Sequence, residues 1–276
     1  MSQKKQLSIL EFSRLTGIKR DNLRFYDRIG LLKPEIRGEN GYRYYTRRQL
    51  SSAYLIGSLR LLGVGLDDIR RYSGGRSPEK MLALFTEQEA RIQAEIVKLR
   101  ETSQIMKMYA EMAEEALRHS DGEFLLEERE RERIFLCPPV TADMSEDERE
   151  ILPYEYASSY GVNLGCPIGI VFSREALFAG ESVPDYRYFF KAGKKGNTWK
   201  PGGLYAVGYG RYDDGQDVSL FRARLLEFLR AQDLEADGDV YGEFLLNELA
   251  VQDPEQYSGR VEIPVKRREG PKQGGR

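Results

Sequence analysis

The sequence is poor in cysteine and histidine. Its 276 residues include two cysteines, Cys137 and Cys166, and one histidine, His119. Two cysteines build no disulfide framework and one histidine adds no metal cluster, so we expect no metal site, no cofactor and a reducing, cytoplasmic location. The sequence also lacks a run of about eighteen apolar residues and an apolar segment near residue 1. We therefore expect neither a membrane span nor secretion.

Charged residues are abundant but unevenly distributed. The net charge is −2, yet residues 1–80 hold 17 lysines and arginines against 8 acidic residues, a charge of +9, and the rest of the chain carries −11. The hydrophobic fraction of 41% is enough for a buried core, and the length suits one large domain or two ordinary ones. The division of charge predicts an anionic partner for the N-terminal part and a different role for the remainder.

Residues 78–119 carry the pattern of one long helix. Apolar residues recur every seven positions, with a second set between them at the three-four spacing of a coiled-coil seam. At about 1.5 Å per residue the helix would span roughly 60 Å, and its polar back favours a dimerising coiled coil over a helix buried in one large domain. Weak seam positions leave the strand direction open. The two sets are Phe85, Ile92, Leu99, Met106 and Ala113, and Glu89, Ile96, Ser103, Ala110 and Leu117.

The N-terminal part begins with two predicted short helices. Ser8 and Glu11 have capping-box spacing, which starts the first helix, and Gly17 supplies a tight turn before a second helix that begins near Ile18. This arrangement predicts a helix-turn-helix, although helical hairpins with basic surfaces also occur without DNA binding. The second helix has polar side chains suited to phosphates or base edges in a major groove, namely Lys19, Arg20, Asn22 and Arg24.

A predicted hairpin follows the two helices. Residues 37–41 form a turn, and Tyr42, Arg43, Tyr44 and Tyr45 alternate as a short strand does. We interpret the hairpin as a wing that contacts backbone phosphates, with Arg43 outward and one or two rings inward. The alternative is a tyrosine cluster that only packs the hairpin against the helices.

Two further helices complete the N-terminal part. Thr46 and Gln49 repeat the capping-box spacing and predict a third helix that ends before Gly63. A fourth short helix is predicted over residues 66–72, and residues 73–75 form a hinge. The sum is an all-α winged helix-turn-helix head.

Three segments of this head, residues 22–34, 41–45 and 61–69, resemble the MerR-type transcription regulators. The resemblance implies a homodimer, joined by an antiparallel coiled coil, that binds double-stranded promoter DNA together with RNA polymerase. It also implies activation by kinking and untwisting an overlong promoter spacer. Deformation of this kind costs on the order of 1 to 6 kcal/mol.

The resemblance also bears on individual residues. Arg24, Tyr26, Tyr42 and Arg43 match DNA-contacting positions of the family, whereas Phe25 stands where a tyrosine is usual. Metal sensing is disfavoured, because a MerR-type metal sensor needs cysteines near the far end of the dimerisation helix. The predicted DNA-binding residues are Lys19, Arg20, Asn22, Arg24, Tyr26, Tyr42, Arg43 and Tyr44.

The C-terminal half alternates short apolar strands with helices. After a head at 1–76 and a dimerisation helix at 77–120, we predict an α+β effector-binding domain over 121–266 and a disordered tail over 267–276. The first predicted strand is interrupted by charged residues at its centre. The predicted strands cover residues 123–136, 168–172, 186–191, 204–209, 239–246 and 260–265, and the predicted helices cover 145–160 and 217–231.

Aromatic residues are dense in this half, either as core residues or as the walls of a pocket. Rings with a carboxylate bind organic cations, and Glu243 lies on an apolar strand, where an acid must face solvent or a cation. Residues 201–209, 239–243 and 257–265 resemble the gyrase-inhibitor-like, BmrR-type effector domain of multidrug-responsive MerR-type regulators, which implies a cavity for lipophilic cations. The predicted ligand-binding residues are Tyr154, Ile168, Tyr188, Tyr205, Tyr209, Tyr241, Glu243 and Tyr257.

The resemblance fails at one position. In the BmrR-type domain the acid directly follows a tyrosine, but here Gly242 follows Tyr241 and Glu243 comes one residue later. In a strand this offset turns the side chain to the opposite face, unless Gly242 sits in a bulge. The preference for a cation is therefore open.

The sequence predicts a ligand-responsive, homodimeric transcription activator that is not an enzyme. One alternative is a small-molecule hydrolase in which Glu243 and Tyr209 activate water, although no nucleophile-base pair supports it. The other is a ligand-free partner of RNA polymerase whose core is filled. The predicted partners are promoter DNA, RNA polymerase, a small lipophilic cation and a second copy of the chain.

Overall fold

The structure is a computed structural model that describes residues 6–141, 143–179, 185–211 and 218–268. The chain divides into two compact units, Met1–Leu99 and Arg100–Arg276. We refer to them as the N-terminal unit and the C-terminal unit.

The N-terminal unit opens with the two predicted helices, α1 (Ile9–Thr16) and α2 (Arg20–Arg28). The capping box is confirmed, because the Glu11 N–H donates to the Ser8 hydroxyl and the Ser8 N–H donates to the Glu11 carboxylate at 2.8 Å. Gly17 ends α1 with a φ of 71°, the left-handed conformation that the turn requires. Both helices bury apolar residues in one core, namely Ile9, Phe12, Leu23 and Tyr26.

A small antiparallel sheet adds to this core. Its strands are β1 (Leu7–Ser8), β2 (Ile36–Arg37) and β3 (Arg43–Tyr45), in the order β1-β3-β2. Tyr45 is the ring that turns inward, as the sequence predicted for one or two tyrosines. It is fully buried and stacks on Phe12 with 4.4 Å between the ring centroids.

The third helix starts later than the capping-box spacing predicted. α3 (Gln49–Leu61) has Arg48 as its N-cap and no side-chain cap. The Thr46 N–H donates to the Gln49 side chain at 3.2 Å, but the Thr46 hydroxyl finds no hydrogen-bond partner among the described residues. The predicted box is therefore half formed. The fourth helix, α4 (Leu66–Ser73), follows as predicted.

The long helix that the heptad pattern predicted is confirmed as α5 (Pro78–Arg118), with 41 residues. Within the N-terminal unit, its seam residues Phe85, Ile92 and Leu99 are 37%, 45% and 58% exposed. Within the C-terminal unit, Met112 is buried. A single chain therefore leaves most of the apolar seam uncovered.

The described strands of the C-terminal unit form one antiparallel sheet. They are β4 (Phe124–Arg129), β5 (Glu132–Val140), β6 (Ile168–Phe172), β7 (Tyr186–Phe190), β8 (Thr198–Lys200), β9 (Gly203–Arg211), β10 (Leu234–Ala236), β11 (Val240–Leu246) and β12 (Ser258–Arg267). Their order is β4-β9-β12-β11-β6-β7-β5-β8, with β10 paired to β12. The helices of this unit after α5 are α6 (Glu146–Ser159), α7 (Arg174–Ala179) and α8 (Val218–Ala231).

Helices pack on both faces of this sheet. On one face, which we name the α5 face, Met112 of α5 shares a buried cluster with Tyr241. On the other, the α6/α8 face, Leu225 of α8 clusters with Val240, and Ala157 of α6 lies in a further cluster. Neighbouring residues of a strand alternate between the two faces.

The single strand predicted over residues 123–136 is wrong in its centre. The chain forms two strands there, and β4 pairs with β9 whereas β5 pairs with β7 and β8. Residues 127–133 are all charged, and the break between the two strands falls inside this run, at residues 130–131. The prediction also omitted α7, β8 and β10, each of them too short for a periodic signal.

Two predicted segments extend outside the described residues. The helix predicted from residue 217 is described from Val218, and residue 217 lies outside the described residues. Of the tail predicted at 267–276, Arg267 ends β12 and the Arg268 N–H donates to the Asp233 carbonyl at 3.1 Å. Residues 269–276 lie outside the described residues.

Gly169 on β6 tests the close packing of the sheet. A Cβ at this position would lie 2.5 Å from Phe189 Cζ and 2.6 Å from the Gly242 carbonyl oxygen. We expect Gly169→Ala to lower the free energy of unfolding by about 1 to 3 kcal/mol, as overpacking does. Gly57→Ala in α3 is the control, because a Cβ there meets nothing within 4 Å and alanine favours a helix by up to about 1 kcal/mol. Equal thermal midpoints for the two variants would contradict the packing.

Candidate functional site

The predicted DNA-binding residues lie on α2 and on the β2–β3 hairpin. Four of them are exposed at or after the start of α2: Lys19, Arg20, Asn22 and Arg24. In the hairpin, Tyr42 is exposed, whereas Arg43 and Tyr44 are half-buried. Tyr26 differs from the rest, because its ring is buried in the core of the unit.

Asp27 belongs to this surface, and sequence reasoning missed it. Its carboxylate is 4% exposed and accepts from Arg43 Nε at 2.7 Å and from Arg37 Nη2 at 2.6 Å. Burial raises the pKa of Asp27, but the two arginines outweigh it and hold the pKa below its usual value. The available signal was one acid between Arg24 and Arg28 on a basic helix. Asp27 therefore fixes two hairpin arginines against α2.

These side chains surround an open groove of about 680 Å³ in the N-terminal unit. Arg28 lies over the Phe25 ring, 5.2 Å from its centroid, so the position where the MerR-type pattern has tyrosine supports a cation. Five basic and two acidic residues line the groove, a balance that suits phosphate contacts. The charged lining residues are Arg24, Arg28, Lys33, Arg37 and Arg43, with Asp21 and Asp27.

Four of the predicted ligand-binding residues come together on the α6/α8 face of the sheet. They line a pocket of about 360 Å³, which we name the aromatic pocket, and they are Tyr154, Ile168, Tyr188 and Tyr257. Pro153 and Phe244 complete its apolar lining, and Glu150, Asn247 and Glu248 its polar lining. Glu150 and Glu248 are both exposed. Of the four lining rings, Tyr188 and Tyr257 are half-buried, whereas Tyr154 and Phe244 are exposed like the two carboxylates.

The other four predicted ligand-binding residues lie on the α5 face: Tyr205, Tyr209, Tyr241 and Glu243. Tyr205 donates to the Pro201 carbonyl at 2.7 Å, and Tyr209 donates to Glu115 of α5 at 2.8 Å. Burial raises the pKa of these tyrosines, to about 12 for Tyr241. The structure thus separates the eight predicted residues into two groups of four.

The register of β11 decides where Glu243 points. Gly242 pairs regularly with both neighbouring strands, and the irregularity of the ladder falls later, between Phe244 and Leu246. A bulge at Gly242 does not compensate the one-residue offset, so Glu243 lies on the α5 face and Phe244 on the pocket face.

Glu243 is 1% exposed and surrounded by cations. Its carboxylate lies 3.1 Å from Lys191 Nζ, 3.1 Å from Arg260 Nη2 and 3.5 Å from Lys200 Nζ. Burial raises the pKa of Glu243, but the three positive charges outweigh it and hold the pKa well below its usual value. Of the two expected surroundings of this acid, solvent or a cation, the structure has the second, and the cations are the protein's own Lys191, Lys200 and Arg260.

A second buried acid, Glu262, also escaped sequence reasoning. It lies 2.6 Å from Arg260 Nε and 3.0 Å from Lys200 Nζ, although neither approach has hydrogen-bond geometry. Coulomb attraction has no such directional demand, so the charges remain paired. The signal was the alternation of charged with apolar residues in the predicted strand 260–265. We name this group the charge cluster, and its residues are Glu115, Arg129, Lys191, Lys200, Glu243, Arg260 and Glu262.

The pair considered for hydrolysis does not form. Tyr209 donates to Glu115 and not to Glu243, and a carboxylate with a lowered pKa is a weak base. Burial raises the pKa of the Cys137 and Cys166 thiols to about 11 each. Among the described residues, no three histidine, cysteine or acidic side chains are grouped as a metal site would need. No helix in the described ranges has the length and apolar character to span a membrane.

Comparison with known proteins identifies relatives of both units. Residues 7–74 match the model of the MerR HTH family regulatory proteins. The chain is 30% identical over 271 residues to the multidrug-efflux transporter 2 regulator of Bacillus subtilis (strain 168), covering 95% of this chain and 97% of that protein. It is 37% identical over 90 residues to the multidrug-efflux transporter 1 regulator of the same organism, covering 32% of each.

Solved structures similar to the chain include EcmrR bound to DNA, with 18% identity and a TM-score of 0.40 over 95% of this chain and 100% of that one. The N-terminal part of the Bacillus subtilis multidrug transporter activator is 23% identical, with a TM-score of 0.34 over 37% of this chain and 94% of that one. The N-terminal unit contains a MerR-type helix-turn-helix DNA-binding domain, and a domain rich in antiparallel sheet follows it. With the identity to the first regulator over nearly its whole length, the chain belongs to the MerR family of transcription regulators.

Proposed function

We propose that the protein is a homodimeric transcription activator that responds to a lipophilic small molecule. The observation that carries this proposal is the aromatic pocket, which lies in the unit that follows the DNA-binding domain. The Bacillus subtilis relatives are named as regulators of multidrug-efflux transporters, which supports a ligand recognised by its apolar surface and not by one defined shape.

The cations of α2 and of the β2–β3 hairpin contact the DNA. The polar side of α2 acts as a recognition surface in the major groove, and the hairpin acts as a wing on the phosphates. Asp27 holds Arg37 and Arg43 in place before DNA arrives, and a preorganised side chain loses less entropy on binding.

A second copy of the chain covers the apolar seam of α5. Phe85, Ile92, Leu99 and Met106 recur every seven residues and are exposed in one chain, and a coiled coil buries residues of this spacing. The resulting dimer places two heads on an overlong promoter spacer. Ligand binding favours the form that kinks and untwists the DNA for RNA polymerase, a deformation of on the order of 1 to 6 kcal/mol.

The ligand binds in the aromatic pocket through its aryl and alkyl surface. Tyr154, Tyr188, Tyr257 and Phe244 offer rings, and apolar walls of this kind stabilise a ligand without directional demand. The sequence predicted a cationic ligand through Glu243. Because that acid lies on the α5 face, a positive charge is attracted by the rings and by the exposed acids at the pocket rim, Glu150 and Glu248.

Transcription in vitro tests the whole proposal. The components are the purified full-length protein, RNA polymerase and the DNA upstream of its own gene, with and without methyltriphenylphosphonium as a lipophilic probe. We expect the probe to increase the transcript and to raise the thermal midpoint of the protein. A transcript and a midpoint that both stay constant would overturn the ligand response.

Arg43 tests the wing. We expect Arg43→Ala to weaken binding to the upstream DNA and to a random duplex by about the same factor, because a phosphate contact carries no sequence information. The slope of log affinity against log salt should fall by about one for each copy bound. Gel-shift titrations at several salt concentrations measure both effects.

Arg230→Ala is the matched control, because it removes the same charge from an exposed residue of α8, outside the head. The control should leave the slope unchanged. Equal slopes for the Arg43 variant and the unmodified protein would contradict the wing.

Tyr154 tests the pocket. It is 48% exposed on α6, so Tyr154→Ala should cost little stability while removing one ring from the pocket wall. We expect a loss of about fivefold to thirtyfold in affinity for methyltriphenylphosphonium, since one ring contact is worth about 1 to 2 kcal/mol. Calorimetric titration measures the affinity.

Tyr160→Ala is the control for this variant. Tyr160 is 59% exposed just beyond α6, where its ring contacts Phe135 and Tyr156 but does not line the pocket. An equal loss in both variants would place the ligand elsewhere.

A further inference from the structure

The aromatic pocket and the charge cluster both include a residue of β11 but occupy opposite faces of the sheet. Phe244 of β11 lines the pocket, while its neighbour Glu243 is paired with three cations on the other side. Glu243 is the fully buried acid of this strand, and the sheet separates it from the pocket. This placement bears on the charge that a ligand needs.

We infer that the aromatic pocket selects ligands by their aryl surface and not by their charge, so that neutral and cationic molecules of the same shape bind with similar affinity. The inference rests on the proposed ligand response and specifies the ligand class of its site. It departs from the cationic effector that the sequence predicted.

Strong selection of a cation requires either a carboxylate or a cage of aromatic rings that is removed from water. Buried charge pairs exclude the uncharged partner by large factors, whereas an exposed pair is worth at most about fivefold in affinity. The acids of the described lining are Glu150 and Glu248, and both are exposed. Two of the lining rings, Tyr154 and Phe244, are exposed, and a ring at an exposed site adds only a few-fold to the affinity for a cation.

Glu243 cannot turn to serve the pocket. Its backbone is paired on both sides, with Gly169 of β6 and Arg260 of β12 as its partners. Rotation of the side chain to the other face would break the register and leave Lys191, Lys200 and Arg260 buried beside fewer negative charges. Unpaired buried charges are strongly unfavourable, so the acid stays on the α5 face.

A matched pair of probes tests the inference. Methyltriphenylphosphonium and triphenylphosphine oxide carry the same three phenyl groups on phosphorus, the first with a positive charge and the second neutral. Calorimetric titration of the full-length protein gives both dissociation constants. We expect a ratio below about tenfold, and a preference for the cation above about tenfold would overturn the inference. If neither probe binds, the proposed ligand response fails and the inference with it.

Variants of the pocket rim and of the pocket wall test which residues set the ratio of the two dissociation constants. In the double variant Glu150→Gln and Glu248→Gln the ratio should change by less than about fivefold, and a larger change would overturn the inference. Phe244→Glu places an acid in the pocket wall and should increase the preference for the cation several-fold over Phe244→Gln, its neutral control. An unchanged ratio would show that the probes bind elsewhere, which would also overturn it.

Discussion

The buried pairing of Glu243 with three cations is the constraint on which the C-terminal unit depends. Removing one partner from a buried ion pair costs about 3 to 5 kcal/mol, so the charges must stay together. Glu243 and Arg260 are opposite each other in the ladder of β11 and β12. A slip of one residue would move one of them to the opposite face, and the cluster therefore fixes the register of the central strands. Arg260 also bonds Glu115, which attaches the end of α5 to the same sheet.

The charge cluster lies on one face of the sheet and the aromatic pocket on the other, which explains how the sheet combines an ion cluster with an apolar pocket. Polar groups are collected on the α5 face, where they pair with one another. The α6/α8 face is then free for rings: Phe244 comes from β11, and Tyr257 directly precedes β12. Because β11 is paired on both sides, the sheet fixes the position of Phe244 on this face.

The sequence predicted the elements whose signals are local and periodic. α1 followed from the Ser8 capping box, and α5 from five heptads. The failures at the charged residues depended on contacts between residues distant in sequence. Whether Glu243 faced the pocket depended on a bulge that the pattern of β11 does not encode, and its partner Lys191 lies 52 positions earlier in the chain. Likewise Asp27 meets Arg43 across 16 positions, and composition alone does not pair one acid with one of many arginines.

Glu243 and Asp27 are both buried, but they differ in how much positive charge remains around them. In the C-terminal unit, the charge cluster holds four cations and three acids, and Glu132 beside Lys191 supplies a fourth acid, so the positive charges are matched and the group acts structurally. In the N-terminal unit, Asp27 holds two arginines in a groove lined by five basic and two acidic residues. The excess positive charge there is oriented but not cancelled. A buried carboxylate can thus neutralise the cations around it or orient cations that stay in excess. The local ratio of cations to acids decides which surface keeps positive charge for phosphates.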